Sequence, residues 1–232
     1  MLMRVKFAKL KPVHYISHLE LMALLRRANR RAGLPVSYSE GYNPHQKLAL
    51  GQPLPVGMEG ENEYFDLELN EDIREEDFVD RLNKKLPEGI KLLEARVVSD
   101  SVKSLMAVIN TAVYQIKMDF DGKQDEEKLI REFMSLPEIR IIRYRRNKDD
   151  RVIDLRPLIY KIEVIRDSLW EFTVSTGSRG NIRPLEIVRA LGEYFEVIKE
   201  VPLINIKREG LYVRRKNKLY EPYDQIITGS SD

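Results

Sequence analysis

The chain has 232 residues, 43% hydrophobic and 33% charged, with a net charge of +2. That length fits one compact domain or two of about 100 residues each. There is no cysteine, and the three histidines are His14, His18 and His45. This excludes disulfides, thiolate zinc sites, cysteine nucleophiles and a chain-held iron–sulfur cluster, so no metal and no cofactor is expected.

Met3–Leu10 alternates through Val5 and Phe7 and reads as a strand. Its flank MLMRVKFAKLK lacks the apolar run of a signal peptide. No window in the chain approaches about 18 apolar residues, so no membrane span is expected and the default is a cytoplasmic protein. Ser17-x-x-Glu20 is a capping box that opens a helix, which Gly33 and Pro35 stop near Ala32. At 100° per residue, His18, Leu21, Met22, Leu25, Ala28 and Ala32 share the core-facing arc. Arg26, Arg27, Arg30 and Arg31 lie opposite. Ser37–Lys47 (SYSEGYNPHQK) carries turn signals at Glu40-Gly41 and Asn43-Pro44.

Leu48–Leu50 is a short strand, Gly51–Gly60 a loop, and Glu63–Leu69 an alternating strand. A helix over Arg74–Leu86 and a strand over Ile90–Val98 follow. The order β-α-β-β-α-β is the ferredoxin-like pattern. The second half offers strands at Ala112–Phe120, Ile139–Arg145, Leu158–Arg166, Trp170–Ser175 and Leu203–Arg208. Its helices fall at Glu126–Leu136 and Pro184–Phe195. The expected fold class is α+β, with two tandem ferredoxin-like (βαββαβ) halves and antiparallel sheets. The halves span 1–100 and 111–227, ahead of a flexible tail over 228–232.

Charge is unevenly distributed. Residues 1–50 hold nine basic and two acidic residues, and residues 51–100 hold six and fourteen. Such asymmetry suits a polyanion-facing side. It equally suits ion pairing between the two blocks.

The run from Phe7 to Leu69 is more specific than periodicity. It reads F-x-K, then YISHLELM, RRANRRAGLPVSYSEGYNPHQKLAL, PLPVG and EYFDLEL. Here the chain resembles the radical-SAM-linked family, the domain of unknown function DUF2344. IDLRPLI and the Arg183-Pro184 helix start resemble later features of that family. The chain departs from the pattern at Tyr42, Glu20 and Lys11, where Phe, Asp and Gly are usual, and it lacks a frequent serine in Met58–Glu61. The resemblance implies a partner, a cobalamin-binding radical-SAM protein, and no assigned reaction. That chemistry needs three cysteines for its cluster, so this chain is at most an accessory to it.

The candidate sites follow from residue chemistry. Arg26, Arg27, Arg30 and Arg31 suit phosphate contacts; the alternative is a solvated helix face. Tyr42, Asn43, His45 and Lys47, beside Gly41, supply the stacking ring, amide, imidazole and cation that hold an unstacked base. The alternative there is a structural turn with Tyr42 in the core. His45 with Tyr42 or His18 forms the weak catalytic set of a metal-independent RNA-processing enzyme. His18, on the apolar arc one residue after the cap, reads rather as a structural histidine. Arg143, Arg145 and Arg146 flank Tyr144 in a pattern that suits single-stranded nucleic acid or an ordinary hairpin tip. Arg183 precedes a helix N-terminus. Arg214–Lys218 reads as a solvated basic hairpin, and Asp154 with Arg156 as an internal ion pair. Together these readings give a non-catalytic RNA- or phosphate-binding accessory protein. A pure protein–protein adaptor using the acidic segment Glu59–Asp80 is the remaining alternative.

Overall fold

The computed structural model describes residues 1–144, 149–178, 180–196, 198–199 and 205–229. The fold is α+β, built largely from antiparallel strands with helices packed against them. It divides into two compact units, residues 1–110 with 208–232, and residues 111–207.

Unit 1 contains β1 (Leu2–Lys9), α1 (His18–Arg31), β2 (Leu48–Leu50), β3 (Glu59–Glu68), α2 (Glu75–Asn83), β4 (Ile90–Val98) and α3 (Leu105–Val108). The chain returns to it in β10 (Ile206–Arg215), β11 (Lys218–Tyr220) and α6 (Gln225–Thr228). Strand order is β4-β1-β3-β10, with β2 on the β10 side of β3 and β11 paired with β10. β1 lies antiparallel to both neighbours, with Val5 opposite Phe65 and Ala95.

Alternation decides the two faces of this sheet. Met3, Val5 and Phe7 on β1 and Phe65 and Leu67 on β3 meet Leu21, Leu25 and Ala28 of α1 and Phe78 and Leu82 of α2 in one core. The intervening residues Arg4, Lys6, Tyr64 and Asp66 take the opposite face, under the C-terminal segment. There Arg4 donates to both Asp66 oxygens at 2.8 Å, to the Pro222 carbonyl at 2.9 Å and to the Lys103 carbonyl at 3.0 Å. Each of its three nitrogens donates, four bonds from five N–H groups, and that is what permits a guanidinium to sit buried.

β3 begins at Glu59, four residues before the strand expected from alternation. Its polar start is held in the sheet by partners distant in sequence: Glu63 bonds Arg208, and Asn62 donates to the Glu209 carbonyl at 2.7 Å. α2 is shorter than expected at both ends and carries Glu75, Glu76 and Asp77 in its first turn, where the helix dipole favours anions.

Unit 2 contains β5 (Thr111–Lys117), α4 (Glu126–Ser135), β6 (Arg140–Arg143), β7 (Arg151–Asp154), β8 (Ile159–Arg166), β9 (Leu169–Ser175) and α5 (Pro184–Tyr194). Its strands run in the order β5-β9-β8, with Ala112, Tyr114 and Ile116 opposite Val174, Phe172 and Trp170. This departs from the expected repeat. β6 pairs with β7 in a separate two-stranded sheet, with Ile141 opposite Ile153. Asp154 closes that hairpin by accepting from the Ile139 and Arg156 amides at 2.9 and 3.0 Å. Arg156 meanwhile donates to the Met134 carbonyl, so the expected Asp154–Arg156 ion pair is replaced by backbone capping. Of the strand expected at Leu203–Arg208, residues 203–204 lie outside the described residues, and Ile206–Arg208 opens the longer β10, which belongs to unit 1 from Arg208 on. Of the expected tail, Thr228 ends α6, and residues 230–232 lie outside the described residues.

Candidate functional site

α1 forms as its sequence dictates. The Glu20 amide donates to Ser17 Oγ at 3.3 Å, and the Ser17 amide donates to Glu20 Oε2 at 2.7 Å. At its far end Gly33 adopts φ +60°, and Arg81 donates to the Ala32 and Gly33 carbonyls. Arginines in the last turns also meet the negative end of the helix dipole. Leu21, Leu25, Ala28 and Asn29 are buried. Arg27, Arg30 and Arg31 are exposed, and Arg26 is half-buried.

Among the described residues none of these four arginines pairs with an acid. Arg31 donates to the Lys85 carbonyl at 2.7 Å, and the Arg26 Nε is buried without a partner. The rest of the basic block is largely neutralised: Arg4 by Asp66, Lys6 by Glu221, Lys11 by Glu59 and Lys47 by Glu68. The two blocks do pair across the sheet, and α1 is left out of the pairing.

The segment after α1 closes on itself. The Ser39 amide donates to the His45 carbonyl at 2.8 Å, and the His45 amide donates to Ser39 Oγ at 3.1 Å. Ser39 Oγ also lies 2.9 Å from His45 Nδ1, which fixes the ring. Residues 40–44 form an exposed tip. Gly41 turns the chain with φ +108°, a conformation other residues adopt only at a cost. Tyr42 is fully exposed, so its ring is not part of the core. Asn43 has no side-chain partner among the described residues, and so does not cap its own turn.

Gln46 fastens this tip to α1. It is 3% exposed, and Asn29 Nδ2 donates to its Oε1 at 2.9 Å. Its own amide donates to the Arg26 carbonyl at 3.1 Å. Gln46 was not singled out from sequence, yet it brings the Tyr42 tip beside the arginine-bearing part of α1. Asn29 is an amide among the buried apolar positions of α1, and that mismatch is the signal that was available.

The remaining candidates divide. Lys47 donates to Glu68 Oε1 at 2.7 Å and is an ion-pair partner rather than a free cation. His18 opens α1 and is half-buried, whereas Gln46 docks at Arg26 and Asn29. Eight residues of helix, about 12 Å, separate the two places, so His18 and His45 do not form an acid–base pair. Arg143 is committed to Glu186, with Nε 2.6 Å from Oε1, and to the Asn181 carbonyl at 2.8 Å. Arg145 and Arg146 lie outside the described residues. Arg183 is exposed at the start of α5, where its amide donates to Glu186 Oε2 at 3.0 Å. Arg214–Lys218 is the turn between β10 and β11.

A second polar group went unread in the sequence. Lys9 and Glu63 occupy core-facing positions in line with Phe7 and Phe65, and both are buried. Arg208 embraces Glu63 from Nε at 2.6 Å and also donates to the Gln52 and Pro53 carbonyls. Lys9 Nζ donates to the His14 and Ile16 carbonyls at 3.0 and 2.8 Å. Burial pushes its ammonium below the ordinary lysine value, and Glu63 opposes that shift. These groups hold the 51–58 loop and the His14 turn against the sheet. Among the described residues no cluster of acids and histidines could hold a metal, and no helix is long and apolar enough to cross a membrane.

No curated protein sequence matches the chain. Among solved structures it is similar to a chain of the crystal structure of a Cbf5-Nop10-Gar1 complex, with a TM-score of 0.51 and 16% identity. That match covers 89% of this chain but 47% of the other, so this chain spans about half of its length. At this identity the likeness concerns the fold alone. A family model described as an uncharacterized protein conserved in bacteria matches residues 3–184, which takes in α1, the 40–44 tip and most of both units. The chain therefore belongs to the DUF2344 family.

Proposed function

We propose that this protein is a non-catalytic RNA- or phosphate-binding accessory, whose contact surface is the arginine face of α1 with the Tyr42 tip. The observation that carries this reading is the set of acid-free arginines Arg27, Arg30 and Arg31 beside a fully exposed Tyr42 in one unit. Guanidinium groups meet phosphates as paired donors, and an open ring stacks on an unpaired base. Asn43 and the outward nitrogen of His45 add polar contacts at the same tip. We read unit 1 as ferredoxin-like, because its strand order and α1/α2 placement suit the βαββαβ pattern.

The proposed partner is a cobalamin-binding radical-SAM enzyme, on the strength of the family resemblance. The chain has no cysteine, so the partner would hold the cluster. In that arrangement this chain holds a substrate RNA and the partner performs the reaction.

Fluorescence anisotropy with labelled small RNA tests the binding. Wild type is expected to bind at micromolar concentration or tighter, with affinity falling as salt rises. Each phosphate contact contributes a slope of about −0.7 for single strands, so three contacts give about −2. Arg27→Glu/Arg30→Glu is expected to lose the binding. Equal affinity in wild type and variant, or none in either, refutes the proposal. Co-purification with the radical-SAM protein after nuclease treatment tests the partnership.

A further inference from the structure

The face of α1 that carries the arginines does not end at them. Taking Leu19 as origin at 100° per residue, Ala23, Arg26, Arg27 and Arg30 all fall within about 100° of arc. The buried residues Leu21, Leu25 and Ala28 point the other way. Leu19 is 78% exposed, unusual for a leucine in the first turn of a core-packed helix. Just before that turn, Tyr15 is 61% exposed, and its ring rests on buried His14 with centroids 3.9 Å apart. An aromatic held by its neighbour yet open to solvent has already lost the freedom that stacking would cost it. The Tyr42 tip stands at the other end, fastened through Gln46 to Arg26 and Asn29.

Resting on the reading of this surface as RNA-binding, we infer that α1 is a track for single-stranded RNA, with Tyr42 and Tyr15 as stacking platforms at its two ends. Leu19 to Arg30 spans about 17 Å of helix. With a ring beyond each end of that span, the full site takes more than four nucleotides, within the range for single-strand grooves. Backbone phosphates follow the arginines, bases stack at the ends, and Leu19 provides apolar contact for a base between them. A duplex keeps its bases paired and offers nothing to the two rings, so the track selects unpaired RNA.

The test compares mixed-sequence single-stranded RNAs of 4 and 10 nucleotides and a 10-base-pair RNA duplex in anisotropy titrations. Tyr15→Ala is expected to weaken the 10-mer about tenfold, the effect of losing one stacked base, and to leave the 4-mer, seated at Tyr42 and the arginines, unchanged. Tyr15→Phe keeps the ring and should match wild type. Leu19→Glu, at an exposed position with no packing role, should weaken the 10-mer alone. If Tyr15→Ala and Leu19→Glu match wild type at both lengths while Arg27→Glu/Arg30→Glu loses both, the track is wrong and the binding surface stands. Duplex bound as tightly as single strand also overturns the track. If wild type binds none of the three RNAs, the track and the underlying function fall together.

Discussion

Gln46 offers the sharpest test of how the site is built, because it touches no proposed ligand. Gln46→Leu keeps the volume and removes the polar head. Asn29 Nδ2 then loses its only acceptor among the described residues, where Asn29 Oδ1 is already buried without a partner. A buried donor stripped of its partner costs about 1–3 kcal/mol, and the lost neutral bond adds about 1 kcal/mol. The bond to the Arg26 carbonyl adds little, since that carbonyl sits within the helix ladder, and the 3.4 Å contact with Tyr38 is long. The expected destabilisation is about 2–4 kcal/mol. With a urea slope of about 2–3 kcal/mol/M, the midpoint drops by about 1 M at unchanged slope. RNA affinity is expected to fall severalfold under conditions where the variant is folded, because the Tyr42 tip loses its anchor to α1. The double variant Asn29→Leu/Gln46→Leu separates the two effects. Replacing both polar partners by apolar groups of similar shape is close to neutral, so stability returns while affinity does not. A single variant within about 0.5 kcal/mol of wild type, or a double variant no more stable than the single, refutes this account.

Three further outcomes follow from the same structure. Arg208→Met leaves the Glu63 carboxylate buried, together with the Gln52 and Pro53 carbonyls. It should cost about 3–5 kcal/mol in urea titration, with Arg208→Met/Glu63→Leu recovering much of the loss. Tyr42→Ala should leave the urea midpoint unchanged within about 0.5 kcal/mol, as for an exposed side chain, while RNA affinity falls. Tyr223→Phe tests acid stability. Burial works against the Glu94 charge, but the Tyr223 hydroxyl at 2.5 Å and Arg96 outweigh it and hold the carboxyl below 4.5. A carboxyl lowered by folding stabilises above its unfolded value, and that contribution is lost as pH falls through the folded one. The gap between wild type and Tyr223→Phe should therefore be full at pH 7 and close as pH falls through the lowered value of the folded carboxyl. A constant gap across that range would refute the pairing.

What was legible in the sequence is what depends on neighbours in the chain. The Ser17 capping box, the Gly33 stop, the short strand Leu48–Leu50 and the strand Ile90–Val98 stand where local spacing put them. The early start of β3 was hidden because alternation reads hydrophobicity. Its first residues are instead held by Arg208 and Glu209, some 145 positions away. The split of β6 and β7 into their own hairpin was hidden likewise, since Asp154 read as a strand-face charge and acts as a backbone cap. At the site, sequence placed the arginines and the tip but not their connection. Asn29 and Gln46 are seventeen residues apart and ordinary taken one at a time. Lys47 and Arg143 could not be told from free cations without seeing Glu68 and Glu186.

The charge arithmetic constrains how such a surface can work. A chain of net charge +2 has little long-range pull on a polyanion. Attraction must come from a few cations close to the phosphates, and among the described residues the exposed arginines of α1 pair with no acid, unlike Arg4, Lys6 and Lys47. This separates local contact from bulk field. Lys11→Glu changes the net charge by the same two units as Arg27→Glu, yet Lys11 faces Glu59 away from the arginine cluster. If contact is local, Lys11→Glu leaves RNA affinity and its salt slope close to wild type, while Arg27→Glu lowers both. Arg27→Lys/Arg30→Lys then divides charge from geometry. The salt slope is kept, because the same number of counterions is released. Affinity falls, because an ammonium cannot present the paired donors of a guanidinium. Equal losses from Lys11→Glu and Arg27→Glu would mean that the surface attracts RNA only through overall charge, and the arginine face of α1 would have no special standing.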